Sequence, residues 1–293
     1  MASSASLKKR KWYQPVELGK RLAAYAVIAY VTICVYLFAM QTRMVYAGMS
    51  ENISVESATQ AAKTMGLVPW PHTTLDAHGP QGFVRLDFAT TPAPRGTIVF
   101  FHGNGESAWN WVGYVDALSR RGFRVFLYEY PGYGGRTGTP SESTIVPDAQ
   151  AVVRALDQAG YGPIYIWGES LGAGVAAAVC ADVTLPVHGL VLLMPWDNIA
   201  NVGLSFYPFV PVRLLMIDKY DSIANLQHFR HPICVIRGDK DDTVLPRLTL
   251  NLFAHLPDPK KMILQAGYGH GDWPSSPELT WWDEALDFTA PQK

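Results

Sequence analysis

The chain reads as an α/β protein, a mostly parallel sheet with helices on both faces, preceded by one transmembrane helix. Three observations predict this. Short apolar runs of strand length recur from residue 83 onward, helix-compatible segments separate most of them, and a charge-free apolar run precedes them all. Near-continuous apolar strands alternating with helices imply a parallel sheet covered on both sides. With 293 residues, 48% of them hydrophobic and 17% charged, the chain can bury a sizeable core in one large domain. A net charge of −1, without basic clusters beyond residue 21, gives no electrostatic footprint for nucleic acid. Cys34, Cys180 and Cys234 are too widely spaced for a metal site or a disulfide framework and read as ordinary buried residues.

Residues 1–21 form a basic tail, and residues 22–40, "LAAYAVIAYVTICVYLFAM", carry no charge. As a helix the run would be roughly 28 Å long, enough to cross a hydrocarbon core. Lys8, Lys9, Arg10, Lys11, Lys20 and Arg21 precede it, whereas only Arg43 follows before Lys63. This asymmetry predicts a signal anchor with a cytoplasmic amino terminus and an extracytoplasmic body, periplasmic in a bacterium. The rival is a cleaved signal peptide ending near Val45-Tyr46-Ala47, against which the length of the run argues. A buried soluble helix would show a polar stripe. Asn52-Ile53-Ser54 would accept a glycan in a eukaryotic secretory compartment.

Residues 41–78 read as a connector, with "SVESATQAAKTMGL" a short amphipathic helix and "VPWPHTT" an extended break. The globular domain spans 79–293. Its expected strands are 83–88, 96–103, 123–130, 163–168, 189–194, 233–238 and 261–266, and its expected helices are 107–121, 145–159, 171–181, 247–256 and 277–287. The segment 196–230 breaks the rhythm. Pro208, Pro211 and a dense apolar set from Leu204 to Met216 make it an insertion covering the top of the sheet, a lid.

Gly168-Glu169-Ser170-Leu171-Gly172 follows a strand and opens a small-residue helix. In that context G-x-S-x-G reads as a nucleophile elbow, a turn so sharp that its flanks must be glycine. The plain alternative is a glycine-rich turn with a serine helix cap. A serine hydroxyl needs a base, and a histidine needs a carboxylate to orient it. His270 lies in "GYGHGD" after the last expected strand. The acid lies in "RGDKDDTVLP", where Asp241 is favoured and Asp242 is the runner-up. Oxyanion donors are expected from the backbone N–H groups of Leu171 and Asn104, with His102 shaping the loop. Trp196, Phe206, Tyr207, Phe209 and Trp273 could line an acyl pocket, or equally pack the lid.

Together "HGNGE", "YEYPGYGGRTGTPSE", "GESLGAG", "RGDKDDTVLP" and "GYGHGD" resemble the α/β-hydrolase superfamily over about residues 80–290. The apolar span, "QTRMVY" and "YPGYGGRTGTPSE" are similar to its single-span membrane-anchored members, some of which remove palmitate from proteins. The resemblance implies the α/β-hydrolase fold and a serine hydrolase acting on an acyl ester or thioester, with membrane lipid as a partner of the amino-terminal helix. No metal or organic cofactor is implied. Leu245, where the family commonly has proline, leaves Asp241 and Asp242 both open. The competing readings are a catalytically silent membrane scaffold and an amidase, peptidase or haloperoxidase-like use of the fold.

Overall fold

The computed structural model describes residues 15–50, 53–70, 79–90, 95–273 and 279–291. It divides into two compact units, one ending at Met40 and the other beginning at Gln41. The first holds most of helix α1 (Pro15–Val45), whose stretch Glu17–Val45 is long and apolar enough, at a mean hydropathy of 2.2, to be a candidate membrane span. Leu22, Tyr25, Val27, Ile28, Tyr30 and Ile33 all stand exposed on it. Apolar side chains all round a helix fit a hydrocarbon solvent rather than one packed face. Lys8 to Lys11 and Asn52 lie outside the described residues.

The second unit is built on an eight-stranded sheet of order β1-β2-β4-β3-β5-β6-β7-β8. Its strands are β1 (Leu67–Trp70), β2 (Gly82–Arg85), β3 (Gly96–Phe101), β4 (Phe123–Tyr128), β5 (Ile164–Glu169), β6 (Val187–Leu193), β7 (Ile233–Gly238) and β8 (Lys260–Gln265). Only β2 runs against its neighbours; β4, β3, β5, β6, β7 and β8 pair in parallel. Two expectations change. The first residues of the segment read as an extended break, Val68 to Trp70, belong to edge strand β1, where Pro69 is tolerated because an edge need not donate on both sides; 71–74 lie outside the described residues. The strand expected over 83–88 ends at Arg85, and Leu86 turns out into solvent.

Helix α2 (Val55–Thr64) is the expected amphipathic segment, started by Ser54, whose hydroxyl accepts the Ser57 N–H. It shares one face of the sheet with α3 (Val112–Ser119) and α10 (Trp281–Thr289). The other face carries α4 (Glu142–Gln158), α5 (Leu171–Val179), α8 (Ser222–Leu226) and α9 (Pro246–His255). The strands divide their side chains with period two: Val99 and Phe101 join the second face, Ile98 and Phe100 the first. Buried Cys180 and Cys234 fill these layers, while Cys34 on α1 is partly exposed. From β3 the chain moves outward to β4, then back across to β5, so the direction of winding reverses beside β3 and β5. A crevice at the carboxyl ends of strands flanking such a reversal is where open α/β sheets bind ligands. The insertion after β6 folds as α6 (Ile199–Phe206), α7 (Val212–Leu215) and the approach to α8.

Candidate active site

Ser170 lies between β5 and α5 at φ 52° and ψ −113°, a left-handed conformation costly for a residue with a side chain. Its neighbours explain how the turn is held. A Cβ on Gly168 would stand 2.2 Å from the Gly172 carbonyl oxygen, and one on Gly172 would stand 2.0 Å from that of Phe101. Only glycine lets the elbow close on itself and press α5 against the end of β3. All nine residues of α5 are buried, which the run of alanines and glycines makes sterically possible.

The loops after β7 and β8 bring two more side chains to this serine. Their contact depends on Gly238, where a Cβ would meet the Tyr268 carbonyl oxygen at 2.0 Å. Across it, Asp241 Oδ2 lies 2.8 Å from His270 Nδ1, and His270 Nε2 lies 2.8 Å from Ser170 Oγ. A carboxylate can only accept, so Nδ1 carries the proton and Nε2 is left with a lone pair facing the hydroxyl. An imidazole in this tautomer can take a proton from the serine. The other oxygen of Asp241 accepts the N–H groups of Thr243 and Val244 at 3.0 and 2.8 Å, which fixes the buried carboxylate in a tight turn. Asp242 is exposed, and its side chain points to Thr243 instead. Burial draws the His270 pKa down, but the hydrogen bond and charge of Asp241, with Glu169 and Asp242, outweigh it, so it lies above the ordinary 6.5.

The loop after β3 supplies backbone. His102 Nδ1 donates to the Gly103 carbonyl at 2.8 Å. Because a trans peptide points its N–H opposite to its C=O, this bond also sets the direction of the Asn104 N–H. The next peptide is held too, since the Asn104 carbonyl accepts from the Gly48 N–H at 2.7 Å and the Tyr133 hydroxyl at 3.0 Å. His102 is itself fixed by Glu129, whose Oε1 lies 3.1 Å from Nε2 while Oε2 accepts the Ala108 N–H. Both side chains are fully buried. Leu171 begins α5, so its N–H is one of those without a partner inside the helix.

A cavity of about 370 Å³ opens on Ser170 and His270, lined also by Asn104, Glu106, Asn110, Trp111, Tyr114 and Trp273. Glu169 borders it at 7% exposure, and its Oε2 has no hydrogen-bond partner among the described residues. Burial foremost, with the charges of Glu106 and Asp241, raises this carboxyl to about 7 against the opposing pull of His270 and the Gly103 backbone. Of the aromatics considered for a pocket, Trp273 lines this cavity. Trp196 is buried against Gly174, and Phe206, Tyr207 and Phe209 stand exposed on the insertion. Glu129 and Glu169 escaped the sequence reading, although a lone charge inside an otherwise apolar strand end was a signal for both. Among the described residues no group of three or more His, Cys, Asp or Glu side chains could hold a metal ion.

An uncharacterised protein of Mycobacterium tuberculosis, Rv2307c, is 33% identical over 279 residues, a match that takes in 89% of this chain and 91% of that protein. Residues 96–215 match the family model for the alpha/beta hydrolase fold. The chain belongs to the α/β-hydrolase family. This α/β-hydrolase is also 31% identical over 169 residues to the lysophosphatidylserine lipase ABHD12 of Danio rerio, covering 51% of the chain and 44% of that protein. Among solved structures, the α/β-hydrolase of Vibrio vulnificus superposes with a TM-score of 0.59 at 18% identity, over 85% of this chain and 92% of its own. At that identity the likeness speaks for the fold alone.

Proposed function

We propose that this α/β-hydrolase is a membrane-tethered serine hydrolase that cleaves an acyl ester or thioester, with lipid esters as the leading substrate class. The observation that carries the reading is the unbroken chain from Ser170 Oγ through His270 to Asp241, both links 2.8 Å long. His270 Nε2 removes the hydroxyl proton as Ser170 Oγ bonds to the acyl carbon. The oxygen that becomes negative accepts from the Leu171 and Asn104 N–H groups. His270 then gives the proton to the departing alcohol or thiol, and the resulting acyl-enzyme is released by a water that His270 activates in turn. Asp241 holds the imidazole in the productive tautomer and stabilises its charged form.

The lipid part of the proposal draws on the candidate span and on the lipase name carried by a 31% identical relative. We read residues 22–40 as the anchor, the unit from Gln41 onward, with α2 and β1 included, as the hydrolase domain, and the basic residues Lys8 to Lys11, Lys20 and Arg21 as fixing the amino terminus in the cytoplasm. The test is covalent labelling of the full chain by a fluorophosphonate, followed by turnover of ester and thioester substrates of graded acyl length. Labelling and turnover that vanish in Ser170→Ala would support the mechanism. A folded wild-type chain that neither labels nor turns over any acyl substrate would leave the scaffold reading in its place.

A further inference from the structure

The insertion carries an apolar surface that the hydrolase core does not cover. Phe206 is 55% exposed, Phe209 87%, Leu214 81% and Ile217 61%, all within twelve residues of chain. Clusters of large exposed apolar side chains usually mark a surface that meets something other than water. The rim is basic. Arg213 donates to Asn201 Oδ1, Lys219 to the Met216 carbonyl and Arg247 to Ser205 Oγ, which leaves cationic heads around the patch. The nearby acids are turned inward, Asp218 accepting from the Tyr46 hydroxyl and the Glu142 N–H, and Glu142 from the N–H groups of Lys219 and Tyr220.

The position of the patch identifies its partner. Gln41 follows directly on Met40, the last residue of the apolar run, and its side chain grips this insertion twice. Gln41 Oε1 accepts the Ile217 N–H at 2.8 Å, and Nε2 donates to the Leu215 carbonyl at 3.3 Å. Five residues on, buried Tyr46 donates to Asp218 at 2.7 Å and meets the Tyr220 hydroxyl at 3.2 Å. A chain leaving hydrocarbon at residue 40 is therefore tied, at the next residue, to the insertion's backbone at Leu215 and Ile217.

We infer that the exposed apolar face of the insertion, residues 206–217, docks on the bilayer surface, its side chains among the acyl chains and its basic rim against lipid phosphates. This rests on reading α1 as a membrane span. An interfacial surface of this kind gains from burying apolar area and from attraction to anionic headgroups.

The test places a photo-crosslinking amino acid at position 209 or 214 of the full chain, in vesicles of phosphatidylcholine and phosphatidylglycerol. Leu86 and Val183, also exposed, serve as comparison sites on the hydrolase unit, and Val31 reports on the span. Lipid adducts several-fold more abundant at 209 and 214 than at 86 and 183 are expected. Adducts at 31 with none above the comparison sites at 209 and 214 would overturn the inference while leaving the span intact. Adducts absent from 31 as well would overturn both. Adducts at 209 and 214 that join two copies of the chain rather than lipid would make the patch a self-association surface and likewise overturn it.

Discussion

Replacing Asp241 with Asn would keep the acceptor for the Thr243 and Val244 N–H groups, so the turn survives, but it would aim an amide N–H at His270. The imidazole would then carry its proton on Nε2 and could not take one from Ser170. The turnover number of Asp241→Asn should fall by about four orders of magnitude, whereas Asp242→Asn, an exposed charge, should stay within about a factor of five. Steady-state kinetics on one substrate checks both. Glu169 makes a different prediction. Its carboxyl titrates from an ordinary 4.5 in the unfolded chain to about 7 in the folded one, so between those values the native state binds more protons. Stability should therefore fall as pH rises from 4.5 to about 7 and level off above. Glu169→Gln should remove that slope, raising the melting temperature at pH 8 relative to pH 5 when compared with wild type. Losing the same negative charge should lower the His270 pKa, moving the acid limb of the kcat/KM profile to lower pH.

Among the elements, the elbow is the one whose sequence dictates its geometry most narrowly. Gly172→Ala would drive a Cβ to 2.0 Å from the Phe101 carbonyl oxygen, and backbone cannot give way as a side-chain tip can. Thermal denaturation should show a loss of more than about 3 kcal/mol, while Gly105→Ala, with open space around its Cβ, should change stability by less than about 0.5 kcal/mol. The same narrowness made Ser170 legible in the sequence, together with the strand before it and the helix after it. Parallel strands β3 to β7 were legible because burial on both faces leaves nearly unbroken apolar runs, whereas the half-exposed edge strand β8 showed only the short run Met262-Ile263-Leu264. Strand β1 was not, since four residues containing a proline carry too little pattern to separate an edge strand from a loop. The insertion was visible as apolar and irregular, but not which way its aromatics point. Phe209 reads the same in sequence whether it lines a cavity or stands 87% exposed. Nor could spacing reveal that His102 and Glu129 meet, because the contact is made only when β3 and β4 pair.

At the scale of the molecule, the charge asymmetry around α1 predicts that a protease added to intact cells or spheroplasts cleaves the hydrolase unit and spares the amino-terminal tail. Cleavage only after lysis would reverse the topology. Tyr46→Phe should remove the buried hydroxyl that ties the chain after the span to Asp218, costing about 1–3 kcal/mol in denaturation of the full chain in detergent. The two edges of the sheet take on added meaning if the protein lives in a membrane. Confinement to a plane crowds copies together at one height, so that like strands come level and the backbone of one sheet could extend the next. Strand β1 meets this with Pro69, which has no N–H to offer, and β8 meets it with Lys260 and Lys261, whose charges resist a dry seam. Neighbouring copies can thus share a crowded leaflet without zipping into a continuous ribbon.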